Sequence, residues 1–212
     1  MGNLIYIMGK SSAGKDTVAK SLKEKINIKN YVMYTTRPKR DGEQEGIDYF
    51  YITEDKIKEF EEEGKIIESR TYNTVYGPWI YATINDKQLE SDEDLLCVGT
   101  LESYRSVREY FLRNGKDNLL PVYIEIDEDE RRKRAIKREE TQAVQKYEEM
   151  ERRLKADNID FSEQNLRLAG IKANQRFKNY DLNTCVNKII EYIKERENKK
   201  CQETEETKEV QR

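Results

Sequence analysis

Residues 9–17 of this chain read GKSSAGKDT and directly follow the apolar run LIYIM at positions 4–8. The run has the length and composition of a buried strand, and the apolar residues after position 17 recur at helical spacing. A strand, a glycine-containing loop ending in lysine, and then a helix form the pattern of a phosphate-binding loop. Backbone N–H groups and the positive end of the helix then face an anion. The pattern predicts a nucleotide-phosphate site at Gly9, Ser11, Ser12, Ala13, Gly14 and Lys15; the simpler alternative is a turn before an ordinary helix.

Asp16 departs from the usual form of this loop. It stands where Ser or Thr normally follows the lysine to hold magnesium, and the hydroxyl comes one residue later at Thr17. A carboxylate is a hard oxygen ligand that suits magnesium. We therefore expect Asp16 and Thr17 to serve a magnesium ion, directly or through water.

The composition favours one α/β folding unit without polyanion partners. The 212 residues are 36% hydrophobic and 38% charged, and 39 basic against 42 acidic residues leave a net charge of −3. This balance disfavours nucleic-acid and membrane binding, and three widely spaced cysteines fit neither a disulfide framework nor a zinc cluster. Histidine is absent, so chemistry that needs an imidazole base is excluded. We expect a cytoplasmic protein that is a monomer or a homodimer.

Continuous apolar runs alternate with amphipathic helices along much of the chain, as at residues 95–98 and 119–126. A parallel sheet covered on both faces requires this alternation. Between positions 33 and 80 the sequence predicts a small β-rich region, with short strands at 65–68 and 71–75 that residues 76–79 interrupt. The tail at 196–212 is so poor in apolar residues that we expect it to be disordered.

Two charged segments stand out. Residues 127–158 predict a pair of helices so polar that, taken alone, they favour a solvated surface hairpin. Residues 35–49 concentrate arginines, threonines and a tyrosine between glycines, which suits a second phosphate, because arginine forks bind phosphate oxygens bidentately. The alternative for this loop is a basic exposed surface.

The phosphate loop, the run TTRPKRDGEQEGIDY at 35–49, Ile67-Glu68 and Tyr76-Gly77 together resemble the guanylate kinase family of nucleoside monophosphate kinases. The resemblance covers most of residues 1–195. It implies a P-loop kinase fold, α/β, with a parallel sheet core flanked by helices, a small β-rich NMP-binding subdomain and a helical lid. The implied boundaries are a core at 1–32, 81–126 and 159–195, the NMP-binding subdomain at 33–80, and the lid at 127–158.

The same resemblance implies roles for individual residues. Glu68 would accept hydrogen bonds from a guanine edge, Glu43 would orient the arginines, and Asn179 would contact the donor base. The acceptor phosphate would be held by Arg37, Arg40, Tyr49 and Tyr76. The catalytic residues would be Lys15 and three lid arginines, Arg134, Arg138 and Arg153.

The implied activity is ATP- and Mg²⁺-dependent phosphoryl transfer to a small-molecule nucleotide, with GMP or dGMP as the favoured acceptor. Besides Asp16, three positions depart from the family: Met33 and Pro78 replace hydroxyls that read the guanine, and Gly99–Glu102 lacks the usual aspartates.

Two alternatives remain open at this point. One is a kinase of ribose bisphosphate or another sugar phosphate on the same fold, and the other is a non-catalytic binding module.

Overall fold

The computed structural model describes residues 2–74 and 77–210. Its elements alternate between strands and helices along most of the chain. The strands are β1 (Leu4–Gly9), β2 (Lys29–Asn30), β3 (Tyr34–Thr35), β4 (Phe50–Tyr51), β5 (Ile66–Thr74), β6 (Gly77–Ile84), β7 (Leu95–Val98), β8 (Leu119–Glu125) and β9 (Arg176–Lys178). The helices are α1 (Lys15–Lys25), α2 (Glu54–Glu62), α3 (Lys87–Glu90), α4 (Leu101–Arg113), α5 (Glu128–Glu140), α6 (Tyr147–Asp160), α7 (Glu163–Leu168) and α8 (Leu182–Val210).

The strands form a five-stranded sheet with the order β2-β7-β1-β8-β9 and a four-stranded sheet with the order β4-β3-β6-β5. The pairs β2–β7 and β8–β9 are parallel. Every residue of β1 is buried, as are the five central residues of β8. The continuous apolar runs of these strands are what a sheet buried on both faces requires. The predicted α/β fold with a parallel sheet flanked by helices is confirmed.

The chain divides into two compact units. The first contains Ile28–Leu119 with the chain up to Tyr6, and the second contains Ile7–Asn27 and Leu120–Arg212. The division into core, NMP-binding subdomain and lid remains a prediction. None of the helices among the described residues has the length and apolar content that a membrane crossing needs.

In the first unit, β5 and β6 form an antiparallel hairpin in which Tyr72 pairs with Trp79 and Thr74 with Gly77. The predicted interruption at 76–79 was therefore wrong for residues 77–79, which begin β6. Pro78 is tolerated there because a proline near the start of a strand removes few ladder hydrogen bonds. The hairpin also joins the two predicted short strands into the single strand β5, and after an irregularity between Ile66 and Glu68 alternate residues share a face.

The last helix differs from the predicted tail. α8 continues to Val210, so residues 196–210 are helical where the sequence predicted disorder. There is no glycine or proline between Leu182 and Val210, and most of the last residues have good helix propensity. Because no helix-breaking residue intervenes, the helix continues into a segment that has few apolar residues.

In the second unit, α5 and α6 pack through a small apolar cluster of Ala135, Met150 and Leu154. Beside it lies Arg131, a fully buried arginine. Its guanidinium donates to both carboxylate oxygens of Glu128, to Asp157 at 3.1 Å, and to the carbonyl oxygen of Leu154 at 3.0 Å. The helical pair, although highly polar, therefore encloses an arginine whose three guanidinium nitrogens all donate hydrogen bonds.

We expect Arg131→Ala to lower the free energy of unfolding by about 3 kcal/mol or more, because it leaves carboxylates without their buried cation. The control is Arg132→Ala, which removes an exposed ion pair with Glu151 and should cost about 1 kcal/mol or less. Urea denaturation of the two variants and the wild type measures both values. Equal losses in the two variants would contradict the structural role of Arg131.

Candidate active site

The phosphate loop lies between β1 and α1 in the second unit and is shaped by two close backbone approaches. Gly14 has a φ of 94°, and a Cβ atom there would lie 2.4 Å from Nδ2 of Asn179. A Cβ atom on Gly9 would lie 2.5 Å from the carbonyl oxygen of Ile124. Both positions exclude a side chain, so the two glycines of the motif are required by packing as well as by the turn.

Lys15 begins α1 and points back over the loop. Its Nζ donates to the carbonyl oxygens of Gly9 at 2.8 Å and Lys10 at 3.1 Å. Burial lowers the pKa of Lys15, while the nearby carboxylates of Asp16 and Asp157 act against this shift. The ammonium group is therefore held among backbone oxygens at the same loop whose amides would bind a phosphate.

An anion from the protein itself already contacts the loop. The backbone N–H of Ser11 donates to the carboxylate of Asp157 at 2.8 Å, and the same carboxylate oxygen accepts a hydrogen bond from Arg131. The loop thus presents a backbone N–H group to a negative oxygen, which is the interaction that a nucleotide phosphate requires. The Ser11 N–H can therefore bind a negatively charged oxygen. Asp157 is not among the residues that the sequence analysis selected.

A cavity of about 970 Å³ opens beside the loop within the second unit. It brings together most of the predicted donor-site residues from the loop and from α5, α6 and the segment before α8. Gly9 and Ala13 do not line it; both are buried. The predicted residues that line the cavity are Ser11, Ser12, Gly14, Lys15, Asp16, Thr17, Arg134, Arg138, Arg153 and Asn179.

The three arginines of the cavity are held differently. Arg134 lies 3.0 Å from Oε1 of Glu130 and donates to the carbonyl oxygen of Asn179, also at 3.0 Å. Arg153 donates to Glu149, and Arg138 is exposed. Arg152 and Arg153 together lower the pKa of Glu149 to about 2. Neighbouring carboxylates therefore hold two of the three arginines, Arg134 and Arg153.

Asn179 has a structural contact of its own. Its Nδ2 donates to the carbonyl oxygen of Ala13 at 2.8 Å, and its backbone N–H donates to the backbone carbonyl oxygen of Glu125. The side chain is almost completely buried. Asn179 therefore fastens the phosphate loop to the end of β9, and its contact with a donor base remains a prediction.

Asp16 and Thr17 offer oxygen atoms at the exposed first turn of α1, and both line the cavity. Their carboxylate and hydroxyl groups fit the hard-oxygen preference of magnesium. Among the side chains that the structure describes, no group of three or more His, Cys, Asp or Glu could hold a metal ion by itself. A magnesium ion at Asp16 and Thr17 would therefore complete its shell with water and phosphate oxygens, as is usual for nucleotide-bound magnesium.

In the first unit, the predicted acceptor-phosphate loop is built around Arg37, which is only 3% exposed. Its guanidinium donates to both carboxylate oxygens of Glu43, at 2.8 and 3.0 Å, and to the carbonyl oxygen of Pro38. Nε donates to the hydroxyl of Tyr81 at 3.1 Å. A guanidinium held on several sides has little rotational freedom, so its remaining donor capacity has a defined direction.

Glu43 connects the rest of this loop. It accepts hydrogen bonds from the backbone N–H of Arg40 and from the hydroxyl of Tyr51, both at 2.8 Å. The ring of Tyr49 lies 5.4 Å from the guanidinium carbon of Arg37, whereas the Arg40 side chain is exposed. Tyr76, the remaining predicted phosphate contact, lies outside the described residues. The structure thus brings Arg37, Glu43 and Tyr49 together and leaves the Arg40 side chain at the surface.

A second cavity of about 470 Å³ lies within the first unit. One face of the β5–β6 hairpin forms much of it, through alternate residues of each strand. The opposite face packs Ile80, Ala82 and Ile84 against the apolar cluster around Ile57. Glu68 faces the cavity with its side chain 8% exposed. The hairpin residues that line the cavity are Glu68, Arg70, Tyr72, Thr74, Trp79 and Tyr81, and Met33, Gly99 and Thr100 join them.

The guanylate kinase family model matches residues 1–195. The chain belongs to the guanylate kinase family. The guanylate kinase of Coxiella burnetii is 33% identical to it over 182 residues, which cover 77% of this chain and 84% of that protein. The guanylate kinase of Caldanaerobacter subterraneus is 33% identical over 141 residues, covering 66% and 68% of the two chains. The crystal structure of guanylate kinase from Anaplasma phagocytophilum, with a TM-score of 0.58 at 21% identity, covers 92% of this chain and 86% of that chain and shares the fold.

Sequence reasoning missed several residues that organise the two cavities of this guanylate kinase family member. Tyr51 and Tyr81 hold the Glu43–Arg37 pair, and Asp157 contacts the phosphate loop. The alternation of Tyr49 with Tyr51 is a signal that could have identified one of them, because alternate residues of an extended segment share a face. Nothing local to Asp157 indicates its contact, which joins residues 146 positions apart.

The Glu43–Arg37 pair makes a prediction about pH. Hydrogen bonds from Arg37, then from the backbone of Arg40, lower the pKa of Glu43 from 4.5 to about 2. A carboxylate whose pKa is lower in the folded state stabilises the fold above pH 4.5, and this stabilisation is lost as the pH falls from 4.5 towards 2. We expect Glu43→Gln to lower the melting temperature at pH 7 and to show a smaller further loss on acidification than the wild type.

Thermal melts between pH 7 and pH 2.5, compared with those of the exposed-site control Glu61→Gln, measure this effect. Parallel curves for the wild type and Glu43→Gln would contradict the stabilising ion pair.

Proposed function

We propose that this chain transfers the γ-phosphoryl group of ATP to GMP or dGMP and releases ADP with GDP or dGDP. The observation that carries the proposal is the cavity in which the phosphate loop, Lys15 and three arginines face one space. Membership of the guanylate kinase family supports the reaction and the guanine acceptor. It does not favour a sugar-phosphate kinase. A non-catalytic binding module would not need a site for the phosphates of ATP.

The transfer needs no strong general base. An oxygen of the GMP phosphate is already anionic, so it can attack the γ-phosphorus directly while the bond from that phosphorus to the β–γ bridging oxygen breaks. The negative charge moves to ADP. This chemistry agrees with a chain that lacks histidine. Catalysis then depends on positioning and on charge neutralisation.

The residues of the second unit would supply that neutralisation. Loop amides and Lys15 would hold the donor phosphates, and Arg134, Arg138 and Arg153 would surround the transferring group. Binding phosphates would require the Ser11 amide to exchange Asp157 for a phosphate oxygen. Magnesium held through Asp16 and Thr17 would add positive charge at the donor phosphates when bound.

The first unit would bind the acceptor. Arg37, oriented by Glu43, would donate to the acceptor phosphate, with Tyr49 beside it and Arg40 and Tyr76 as further contacts. Glu68 would accept hydrogen bonds from N1–H and the 2-amino group of guanine, which adenine and the pyrimidines do not present together. Both assignments rest on the side chains that line or adjoin the second cavity.

Lys15→Met should reduce the rate of phosphoryl transfer by roughly a hundredfold or more, because it removes a cation directed at the charge that develops during transfer. The control is Lys20→Met, at an exposed position on the same helix, which should keep the wild-type rate. A coupled assay of ADP release with ATP and GMP measures both. A Lys15→Met enzyme with most of the wild-type rate would refute the assigned role.

Asp16→Asn should raise the magnesium concentration needed for half-maximal activity, because it replaces a charged oxygen ligand with a neutral one. Thr17→Val, assayed in parallel, tests the neighbouring hydroxyl. The same ADP-release assay over a magnesium titration at fixed ATP gives both curves. An unchanged titration for Asp16→Asn together with a shifted one for Thr17→Val would transfer the role to Thr17.

A further inference from the structure

Arg70 lies on β5 two residues after Glu68, and both side chains face the cavity of the first unit. Nε of Arg70 lies 2.7 Å from Oε1 of Glu68, and the hydroxyl of Thr83 donates to Oε2 of Glu68 at 3.4 Å. The carboxylate and the guanidinium therefore form a neighbouring acceptor and donor pair on the wall of the cavity.

One nitrogen of this pair makes no hydrogen bond. Among the side chains that the structure describes, Nη2 of Arg70 is the single buried nitrogen or oxygen without one. Its ion-pair partner is Oε2 of Glu102, 3.6 Å away on a side chain that is 85% exposed. Buried polar groups in native proteins are nearly always hydrogen-bonded, so an exception in the wall of a cavity indicates a partner that the ligand supplies.

Hydroxyl groups also line the cavity, among them those of Tyr49, Thr100 and Ser103, but Arg70 is the one cation among its described lining residues. Met33, which also lines it, carries only a thioether, a weak acceptor without a hydrogen to donate. Tyr81, a further lining residue, accepts a hydrogen bond from Nε of Arg37 through its hydroxyl oxygen. The charged donor in contact with the Glu68 carboxylate is thus the guanidinium of Arg70.

Guanine presents the complementary pattern. Its keto oxygen at C6 is an acceptor next to the N1–H and 2-amino donors, whereas adenine has an amino donor at C6 next to an acceptor at N1. A carboxylate with a guanidinium beside it therefore matches guanine. With adenine, the guanidinium would face the 6-amino donor and the carboxylate would face the N1 acceptor, so neither hydrogen bond could form.

We propose that Arg70 is a specificity-determining residue whose Nη2 donates to the 6-keto oxygen of the acceptor guanine, while Glu68 accepts from N1–H and the 2-amino group. The proposal rests on the function proposed above and assigns its base selectivity to a pair of residues on one strand. It explains how a pocket lined by Met33 retains a donor for the keto oxygen.

The test compares GMP with 6-thio-GMP, in which sulfur replaces the keto oxygen and the other two base donors remain. Sulfur is a weak acceptor, so the wild type should prefer GMP in kcat/KM by about tenfold or more. Arg70→Met should lower kcat/KM for GMP and bring the ratio of the two substrates to within about threefold of one. Arg113→Met, which removes an exposed arginine of α4, is the matched control and should keep the wild-type ratio.

The ratio does not depend on the fraction of active enzyme, because both substrates are assayed on the same preparation. If Arg70 only neutralised Glu68, Arg70→Met would weaken both substrates equally and leave the ratio unchanged, which would overturn the proposal. A wild type without preference for GMP over 6-thio-GMP would overturn it as well. If Arg70→Met has no turnover, equilibrium binding of the two nucleotides by calorimetry is judged by the same ratio.

Failure of the proposed function has a different signature. A wild-type protein that forms no GDP from ATP and GMP would overturn both the function and the role of Arg70. Formation of GDP with an unchanged ratio in Arg70→Met would overturn the role of Arg70 alone.

Discussion

The donor site depends on how closely the backbone of the phosphate loop approaches its surroundings. Gly9 and Gly14 leave room for Ile124 and Asn179 where any side chain would collide, and the Asn179 amide then fastens the loop through Ala13. β1 ends at Gly9 and α1 begins at Lys15, so the chain leaves the buried strand and turns within a few residues. This short turn leaves backbone N–H groups of the loop at the N-terminal end of a helix, an arrangement that favours an anion.

In both units, carboxylates hold buried guanidinium groups in place by paired hydrogen bonds. Glu43 holds Arg37 by two parallel hydrogen bonds, and Glu128 does the same for Arg131. Such tethering reduces the side-chain entropy that a ligand contact would otherwise cost. Arg70 is the informative exception, because Glu68 engages its Nε and leaves Nη2 buried without a hydrogen bond.

Sequence reasoning succeeded where function depends on local pattern. The strand, glycine loop and helix around Lys15 follow from spacing alone, and the apolar runs of β7 and β8 predict a buried parallel sheet. It failed for the β5–β6 hairpin, because glycine and proline at positions 77 and 78 are typical of a turn, and only the paired strand shows that they belong to a strand. Splitting β5 in two also concealed the shared face of Glu68 and Arg70.

The sequence by itself determined the phosphate loop, the α/β class and the family, since each depends on residues close together in the chain or on the order of apolar runs. Only the tertiary structure decided the partners of those residues. The contact of Asp157 with Ser11, the contact of Tyr81 with Arg37 and the missing hydrogen bond at Nη2 of Arg70 all depend on distances in space. Hydrogen bonding and burial are set by neighbours that folding brings together, so local pattern carries no record of them.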